Sequence, residues 1–184
     1  YGNASVTGNA ASGNTANQCS GGGVYVVDGT FTMSDNASIT NNTTDGADGG
    51  VGVYYGTSTA TFTMNGGTIS GNKAISRGGG VGVYGWNSAF IMNGGTISGN
   101  EAKNGGGVYV KVSGEGENGG KFEMNGSAMN GSASVKDNTA SGNTADQGHG
   151  GGVYVYSGTF TMNYKASVSG NTATNNGGGV YVES

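Results

Sequence analysis

Residue types that could carry out acid–base catalysis or bind a metal are few in this chain and widely separated. Glu115 and Glu117 could form an acid–base pair, but they lie in a glycine-rich loop that holds little fixed geometry. Asp45 and Asp48 could offer oxygen ligands to calcium, although two carboxylates fall short of the usual ligand number. His149 has no histidine or cysteine close to it in the sequence. We therefore expect no enzymatic activity, no bound metal and no cofactor.

Cys19 is the only cysteine, so the chain can form no internal disulfide. Residues 4–27 align without gaps to residues 133–156, and Gly148 stands opposite Cys19 in that alignment. We do not expect a nucleophile at a position where a copy of the same unit has glycine. The cysteine content leaves the cellular compartment open.

Tyrosines are the most regular candidate binding residues, because one follows a valine in each repeat of the sequence. Alternation along a strand would turn these rings outward, one per coil on the same strand. They could stack on sugar rings or pack against another protein, and Trp86 adds an aromatic side chain in the turn after Tyr84. They could equally form a self-stacking ladder that stiffens the sheet. The tyrosines of this stripe are Tyr25, Tyr54, Tyr84, Tyr109, Tyr154 and Tyr181.

A second outward array consists of hydroxyl side chains on either side of a shared apolar position. A flat face of this kind resembles the surface of ice-binding β-helices, but Lys136 interrupts it. β-Helices that act on polysaccharides set carboxylates on their outer strand faces, where this chain has Tyr, Thr and Ser. Ice binding and polysaccharide cleavage are therefore the less favoured alternatives to a solvated strand surface. The hydroxyl pairs are Ser5/Thr7, Ser38/Thr40, Thr68/Ser70, Thr96/Ser98 and Ser167/Ser169.

A unit of about 25 to 45 residues that recurs along the chain must position these side chains, and such a repeat is typical of a solenoid. Each unit contains Gly-Val-Tyr, then Phe-Xaa-Met, then a third apolar residue. The Gly-Val-Tyr valines are Val24, Val53, Val83, Val108, Val153 and Val180. The third apolar residues are Ile39, Ile69, Ile97, Val135 and Val168. The stacks expected in the core include Val24, Phe31, Met33, Phe62, Met64, Phe90, Met92, Phe122, Met124, Phe160 and Met162.

The three apolar segments of each unit predict three short strands. In Val24-Tyr25-Val26 and in Phe31-Thr32-Met33, the apolar side chains alternate with polar or aromatic ones, which is the period of a strand. No segment has helical periodicity, and the 42 glycines disfavour helices. The sequence therefore predicts an all-β fold, a right-handed parallel β-helix with three short strands per coil and about five to six coils. Residues 1–184 are expected to form one domain.

Asparagines follow two of the apolar segments and predict two ladders of stacked amides. Asparagine tolerates left-handed backbone at turns, and its amide can bond to the copies above and below it. The ladder after Phe-Xaa-Met comprises Asn65, Asn93, Asn125 and Asn163. The ladder after the third apolar residue comprises Asn9, Asn72, Asn100, Asn138 and Asn171.

The charge of the chain argues against nucleic acid as a partner. The formal net charge is −4, and the seven basic residues are scattered rather than clustered. No apolar run approaches the ~20 residues of a membrane-spanning helix, so we expect no insertion into a membrane. Glycine without a period of three, and without proline, excludes collagen.

The motif Phe-Xaa-Xaa-Asn, paired with Gly-Gly-rich openings of the valine segments, resembles the repeats of a known family. The motif occurs at residues 62–65, 90–93, 122–125 and 160–163, whereas residues 31–34 end in Ser. These repeats are similar to those of the polymorphic outer-membrane adhesins of chlamydiae and of other autotransporter-like surface adhesins with a right-handed β-helix. The resemblance covers nearly the whole chain. It implies a cell-surface or extracellular location and an adhesive role, and it implies no catalytic residue.

The two ends of the chain suggest how it associates with other coils. Tyr1 to Val6 match a third strand, and Val180 to Val182 match a first strand, so neither end carries a recognisable cap. An uncovered coil leaves strand edges and apolar side chains for another coil to stack on. We expect a structural or adhesive element, either stacking head to tail on copies of itself or forming part of a longer adhesin. A module that binds glycans, on a host or neighbouring cell surface, through the tyrosines and Trp86 is the alternative.

Overall fold

The computed structural model describes residues 2–13, 20–112, 119–126 and 132–184, and over these it is a parallel β-solenoid. The described residues contain no helix, and hence none that is long and apolar enough to cross a membrane. Cys19, Glu115, Glu117 and Tyr1, which entered the sequence predictions, lie outside the described residues. The all-β fold and its parallel stacked coils confirm the predicted fold class.

Four parallel sheets run along the solenoid, each named here after its most regular residue. The valine sheet contains β3 (Val24–Val27), β7 (Val51–Tyr54), β11 (Val81–Tyr84), β15 (Val108–Lys111), β19 (Val153–Tyr156) and β23 (Val180–Glu183). The phenylalanine sheet contains β4 (Thr30–Met33), β8 (Ala60–Met64), β12 (Ser88–Met92), β16 (Lys121–Gly126) and β20 (Thr159–Tyr164). The isoleucine sheet contains β1 (Ser5–Thr7), β5 (Ser38–Thr40), β9 (Thr68–Ser70), β13 (Gly95–Ser98), β17 (Ala133–Lys136) and β21 (Ser167–Ser169). The short sheet contains β2 (Ala10–Ala11), β6 (Thr43–Thr44), β10 (Lys73–Ala74), β14 (Glu101–Ala102), β18 (Thr139–Ala140) and β22 (Thr172–Ala173).

Each complete coil passes through the phenylalanine, isoleucine, short and valine sheets in that order. Five such coils follow a partial first coil made of β1 to β3, in agreement with the predicted number. The short sheet is a fourth strand position that the three-strand prediction missed. Its strands have two residues each, and only a small inward side chain such as Ala74 or Ala102 recurs in them, which is too weak a pattern to recognise in advance.

The core consists of like side chains stacked directly over one another. Phe62, Phe90 and Phe122 lie in register, with ring centroids 4.7 Å and 4.8 Å apart and nearly parallel planes. All three rings are fully buried. Exposure rises at the ends of the column, where Phe31 and Phe160 are half-buried. The interior is therefore completed by neighbouring coils rather than within one coil.

The register of the valine sheet differs from the one that the Gly-Val-Tyr strings suggested. Val51, not Val53, pairs with Val24, so Gly52 lies beside Tyr25 and Tyr54 lies beside Val27. A shift of two residues keeps every side chain on its face, which is why the inward valines were still assigned correctly. The tyrosines, by contrast, are divided between two outward columns.

The asparagines of the second ladder form a continuous buried hydrogen-bonded chain. The Asn72 Nδ2 atom donates to Asn100 Oδ1 at 2.9 Å, and the Asn72 backbone N–H donates to the same oxygen at 2.9 Å. Asn42, which the sequence prediction omitted, occupies the position between Asn9 and Asn72 and donates to Asn72 Oδ1 at 3.0 Å. Each buried amide is thus satisfied by the next coil, as an apolar interior requires.

The first ladder runs along the edge of the phenylalanine sheet with the opposite direction of donation. Asn163 Nδ2 donates to Asn125 Oδ1 at 2.8 Å, and Asn93 Nδ2 donates to Asn65 Oδ1 at 2.9 Å. In this ladder the later coil donates to the earlier one, whereas in the buried ladder the earlier coil donates to the later one.

Glycines precede the valine strands because backbones approach too closely there for a side chain. A Cβ atom on Gly79 would lie 2.4 Å from the carbonyl oxygen of Gly106 and 2.6 Å from that of Glu101. Gly78 has a φ of 63°, in the left-handed region. These corners turn the chain from the short sheet into the valine sheet, which carries the tyrosines.

Phe90→Ala should lower the free energy of unfolding by ~3–5 kcal/mol, because the cavity would lie between two coils that cannot collapse onto it. Phe160→Ala removes the same atoms from a half-buried position in the last coil and should cost clearly less. Urea denaturation of the two variants measures the difference. Equal losses of stability would contradict a core that is built by stacking.

Candidate functional site

The six tyrosines form one ladder of aromatic rings on the outside of the valine sheet, although they come from two columns. Tyr25, Tyr109, Tyr154 and Tyr181 belong to the first column, and Tyr54 and Tyr84 belong to the second. The ring centroids of Tyr54 and Tyr84 are 4.4 Å apart, and those of Tyr84 and Tyr109 are 5.6 Å apart. The rings therefore stay in contact where the ladder changes column.

The ladder is less accessible than the sequence suggested. Tyr84, Tyr109 and Tyr154 are 8%, 4% and 6% exposed, whereas Tyr25 is 53% exposed. Together with Ala47 the buried tyrosines make a second apolar cluster, outside the solenoid wall and separate from the main core. The middle rings are not exposed as an outward stripe would be, because they pack on one another and against the Asp48, Arg77 and His149 side chains.

Asp48 lies buried among the tyrosines rather than in an exposed turn. The Tyr54 and Tyr84 hydroxyls donate to its carboxylate at 2.7 Å and 2.9 Å. A Cβ atom on Gly82 would lie only 1.7 Å from Asp48 Oδ1, so glycine at this position makes room for the carboxylate. Gly52 has the same role, with a Cβ position 3.0 Å from the other carboxylate oxygen. The two glycines thus explain why the tyrosines change column.

Burial raises the pKa of Asp48 to about 7, against the opposing effects of the two tyrosine hydroxyls and of the Arg77 guanidinium. Burial also raises the pKa of Tyr84, and the carboxylate of Asp48 adds to that shift. The carboxylate oxygens of Asp48 accept hydrogen bonds from the Tyr54 and Tyr84 hydroxyls, so this side chain is not arranged as a calcium ligand. Asp45 is exposed. Within the described ranges, no group of three or more His, Cys, Asp or Glu residues could hold a metal ion.

A groove of about 560 Å³ continues alongside the ladder over the later coils. Its floor contains Tyr109 and Tyr154, which are buried. One side is formed by the fourth residues of the valine strands, and the other by turns that lead into those strands. The first side comprises Lys111, Tyr156 and Glu183, with Tyr181 beside them. The second side comprises Ser76, Arg77, Lys103, Asn104, Thr144, Ala145, Asp146, Gln147, His149 and Asn176.

His149 fixes one wall of this groove, although the sequence indicated only an isolated turn residue. Its ring stacks on Tyr181 with centroids 4.7 Å apart. Nε2 lies 3.0 Å from the carbonyl oxygen of Ala145, and Nδ1 accepts a hydrogen bond from the Asn176 N–H at 3.3 Å. The tautomer with its proton on Nε2 satisfies both bonds. The histidine therefore holds the turn around 145–149 against the aromatic ladder.

Charged and polar side chains converge on the groove from several coils. The Arg77 guanidinium carbon lies 5.5 Å from the centre of the Tyr109 ring, and Lys111 Nζ lies 5.2 Å from the centre of the Tyr156 ring. The Oε1 atom of Gln147 is buried and has no hydrogen-bond partner among the described residues. Sequence reasoning missed this site because its residues are up to about a hundred positions apart and share no motif.

Trp86, which was grouped with the tyrosines on the basis of sequence, is not part of the groove lining. It is half-buried in the turn after β11, and its Nε1 atom is buried without a hydrogen-bond partner in the described part of the chain. The structure therefore places Trp86 apart from the convergent polar side chains.

The hydroxyl face lies on the isoleucine sheet and is in register from coil to coil. Ser38 pairs with Thr68, and Thr40 donates to the hydroxyl of Thr7 at 3.1 Å. Lys136 stands in the same column as Ser98 and Ser169 and interrupts it. Ser5 and Ser38 of this face also line a cleft of about 330 Å³ at the start of the solenoid.

No protein-family model, curated protein or solved structure matches this chain. The stacked parallel coils agree with the solenoid that the adhesin resemblance implied. The relationship to surface adhesins itself stays a prediction from the repeats.

Asp48→Asn should change how stability depends on pH. Because the pKa of Asp48 rises on folding from 3.8 to about 7, the folded state binds more protons than the unfolded state between these values. The free energy of unfolding of the unmodified chain should therefore fall as the pH rises through this window, by on the order of 2–4 kcal/mol more than in the variant. Urea denaturation at several pH values measures this difference.

Asp45→Asn removes an exposed carboxylate close to Asp48 and is the matched control. It should retain the pH dependence of the unmodified chain. If Asp48→Asn retained it as well, the described burial of Asp48 would be incorrect.

Proposed function

We propose that this chain is a non-enzymatic structural and adhesive β-solenoid of the cell surface or extracellular space, whose end coils stack on further coils of the same kind. The observation that carries the proposal is the exposed apolar face of the last coil. Val180, Val182 and Met162 are 36%, 64% and 42% exposed, although the equivalent residues of inner coils are buried. Such a face is stabilised when another coil covers it.

The proposal is supported by the match between the two ends, because the inward residues of the first strands are the same as those of the last strands. If the register of the inner coils continues, β1 lies on β21 with Val6 on Val168, and β3 lies on β23 with Val24 on Val180. Asn9 and Asn171 each follow three residues after the apolar residue of those strands, so the buried ladder also continues. The same stacking places Tyr25 on Tyr181 and extends the aromatic ladder into the next copy.

This junction is complete in three of the four sheets. The partial first coil has no described strand in the phenylalanine sheet, and a cleft of about 330 Å³ lies there beside β4, lined by residues such as Val6, Phe31 and Met33. A further strand of the phenylalanine sheet would occupy this space if the register of the coils continued. Stacking by a longer solenoid of the same repeats and stacking by copies of this chain therefore share the contacts of three sheets and differ in the fourth.

The location and the adhesive role are supported by the repeats rather than by the site. The Phe-Xaa-Xaa-Asn and Gly-Gly motifs resemble those of bacterial surface adhesins. The side faces carry uncharged Ser, Thr, Asn and Tyr, which present hydrogen-bonding groups without strong charge repulsion.

Glycan binding is the second candidate function, and the groove beside the tyrosine ladder favours it. Tyr156 is 37% exposed at the groove, and Tyr181 is half-buried, so parts of both rings can contact a sugar. The amides of Asn104 and Asn176 lie on the opposite wall. Aromatic rings facing planar polar groups across a concave surface suit the alternating apolar faces and hydroxyls of a saccharide.

Val182→Lys should abolish end-to-end assembly while leaving the fold intact. Val182 occupies an inward column of the last coil, where an added coil would bury the ammonium group without a partner. Ile75→Lys introduces the same charge at a residue that is 49% exposed on the side of the solenoid, and it is the control. Analytical ultracentrifugation and electron micrographs should show oligomers or filaments for the unmodified chain and the control, but monomers for Val182→Lys.

Monomers of the unmodified chain at high concentration would contradict assembly from copies of this chain. Equal assembly by Val182→Lys would contradict stacking through the last coil.

A further inference from the structure

We propose that the groove beside the tyrosine ladder binds an acidic saccharide, with sugar rings on its tyrosines and a carboxylate on its cations. This inference rests on the glycan-binding function given above as the second candidate. It specifies the chemical class of the ligand and the residues that select it.

The residues in the two outward columns of the valine sheet determine where the groove is open. In β7 and β11 the first column has Gly52 and Gly82, and the tyrosines of the second column turn over them towards Asp48. In β15, β19 and β23 the first column itself has tyrosine. The second column then has Lys111, Tyr156 and Glu183, which stand at the side of the groove instead of filling it. The outer face of the valine sheet is thus closed over β7 and β11 and open over β15, β19 and β23.

The charge of the groove differs from that of the rest of the molecule. Arg77, Lys103 and Lys111 line it, which are three of the seven basic residues in a chain with a net charge of −4. They face two carboxylates, those of Asp146 and Glu183. The carboxylate of Glu183 is engaged by the hydroxyl of Tyr154, which donates to it at 2.7 Å. Three cations against two carboxylates leave an excess of positive charge in the groove, although the chain as a whole is acidic, and this excess favours an anion.

An anion alone would leave the other accessible side chains of the groove without contacts. The exposed Asn176 amide and parts of the Tyr156 and Tyr181 rings also line it. A ligand that carries hydroxyls for the amide, an acidic group for the cations and an apolar ring face for the tyrosines matches all three features, and a uronic-acid saccharide is the simplest of this kind.

Titration calorimetry on the whole chain can test this proposal with saccharides that differ only in charge. Trigalacturonic acid should bind. The affinity of the neutral trigalactose should be lower by at least about tenfold, because a charge-assisted hydrogen bond is about twice as strong as a neutral one. Raising the salt concentration should weaken binding of the acid but not of the neutral sugar. Inorganic sulfate and an aspartate tripeptide test whether charge alone is sufficient, and neither should compete.

Substitutions with matched controls locate the site. Lys103→Gln combined with Lys111→Gln should weaken binding of trigalacturonic acid about tenfold or more. Lys136→Gln combined with Lys165→Gln makes the same change in net charge at exposed positions outside the groove and should have no effect. Tyr156→Ala should also weaken binding.

Tyr164→Ala is the control for the aromatic ring, because Tyr164 is 88% exposed and outside the groove, and it should not change binding.

The outcomes separate this inference from the function on which it rests. Equal binding of both saccharides, insensitive to the lysine substitutions, would retain glycan binding and overturn acidic selectivity. If neither saccharide bound, both the glycan-binding function and the acidic selectivity would be overturned. Competition by sulfate or by the aspartate tripeptide at similar concentrations would show a nonspecific anion site and would also overturn the proposal.

Discussion

The hydrogen bond between one coil and the next is the interaction on which the rest of this structure depends. Val81 N–H donates to Gly107 O at 2.9 Å, and Val108 N–H donates to Gly152 O at 2.8 Å, so equivalent residues bond in every turn. A strand of three or four residues cannot bury its own apolar side chains, whereas a column of identical strands can. Because each residue lies directly beside the equivalent residue of the next coil, an inward side chain packs best on a copy of itself.

This constraint explains why unlike parts of the molecule have the same form. Phenylalanines become a stack of parallel rings, buried asparagines become a chain of amides, and tyrosines become an external ladder. The side faces alone are free to vary without loss of the core. Asp48, with its two companion glycines, and the groove bounded by His149 are both such variations on the outside of one sheet.

The sequence predicted what repeats and failed where a feature occurs once. The inward phenylalanines and methionines, and their order of stacking, could be derived from the spacing of Phe-Xaa-Met alone. Matching Gly-Val-Tyr strings misaligned β7 and β11 by two residues, because Gly52 and Gly82 replace the tyrosine that the first column has in the other strands. The burial of Tyr109 and Tyr154 could not be predicted, since Arg77, which lies over Tyr109, comes from the preceding coil, and Glu183, which bonds to Tyr154, comes from the next one. The groove was missed for the same reason.

Hydrogen exchange of the backbone amides measures most directly whether each coil is held by its neighbours. If it is, amides of the valine and phenylalanine strands in the middle coils, such as Val83 and Phe90, should exchange most slowly. Protection should decline coil by coil towards Val182 at one end and Phe31 at the other. Uniform protection along the solenoid, or middle coils that exchange as fast as the last one, would contradict a structure stabilised by stacking.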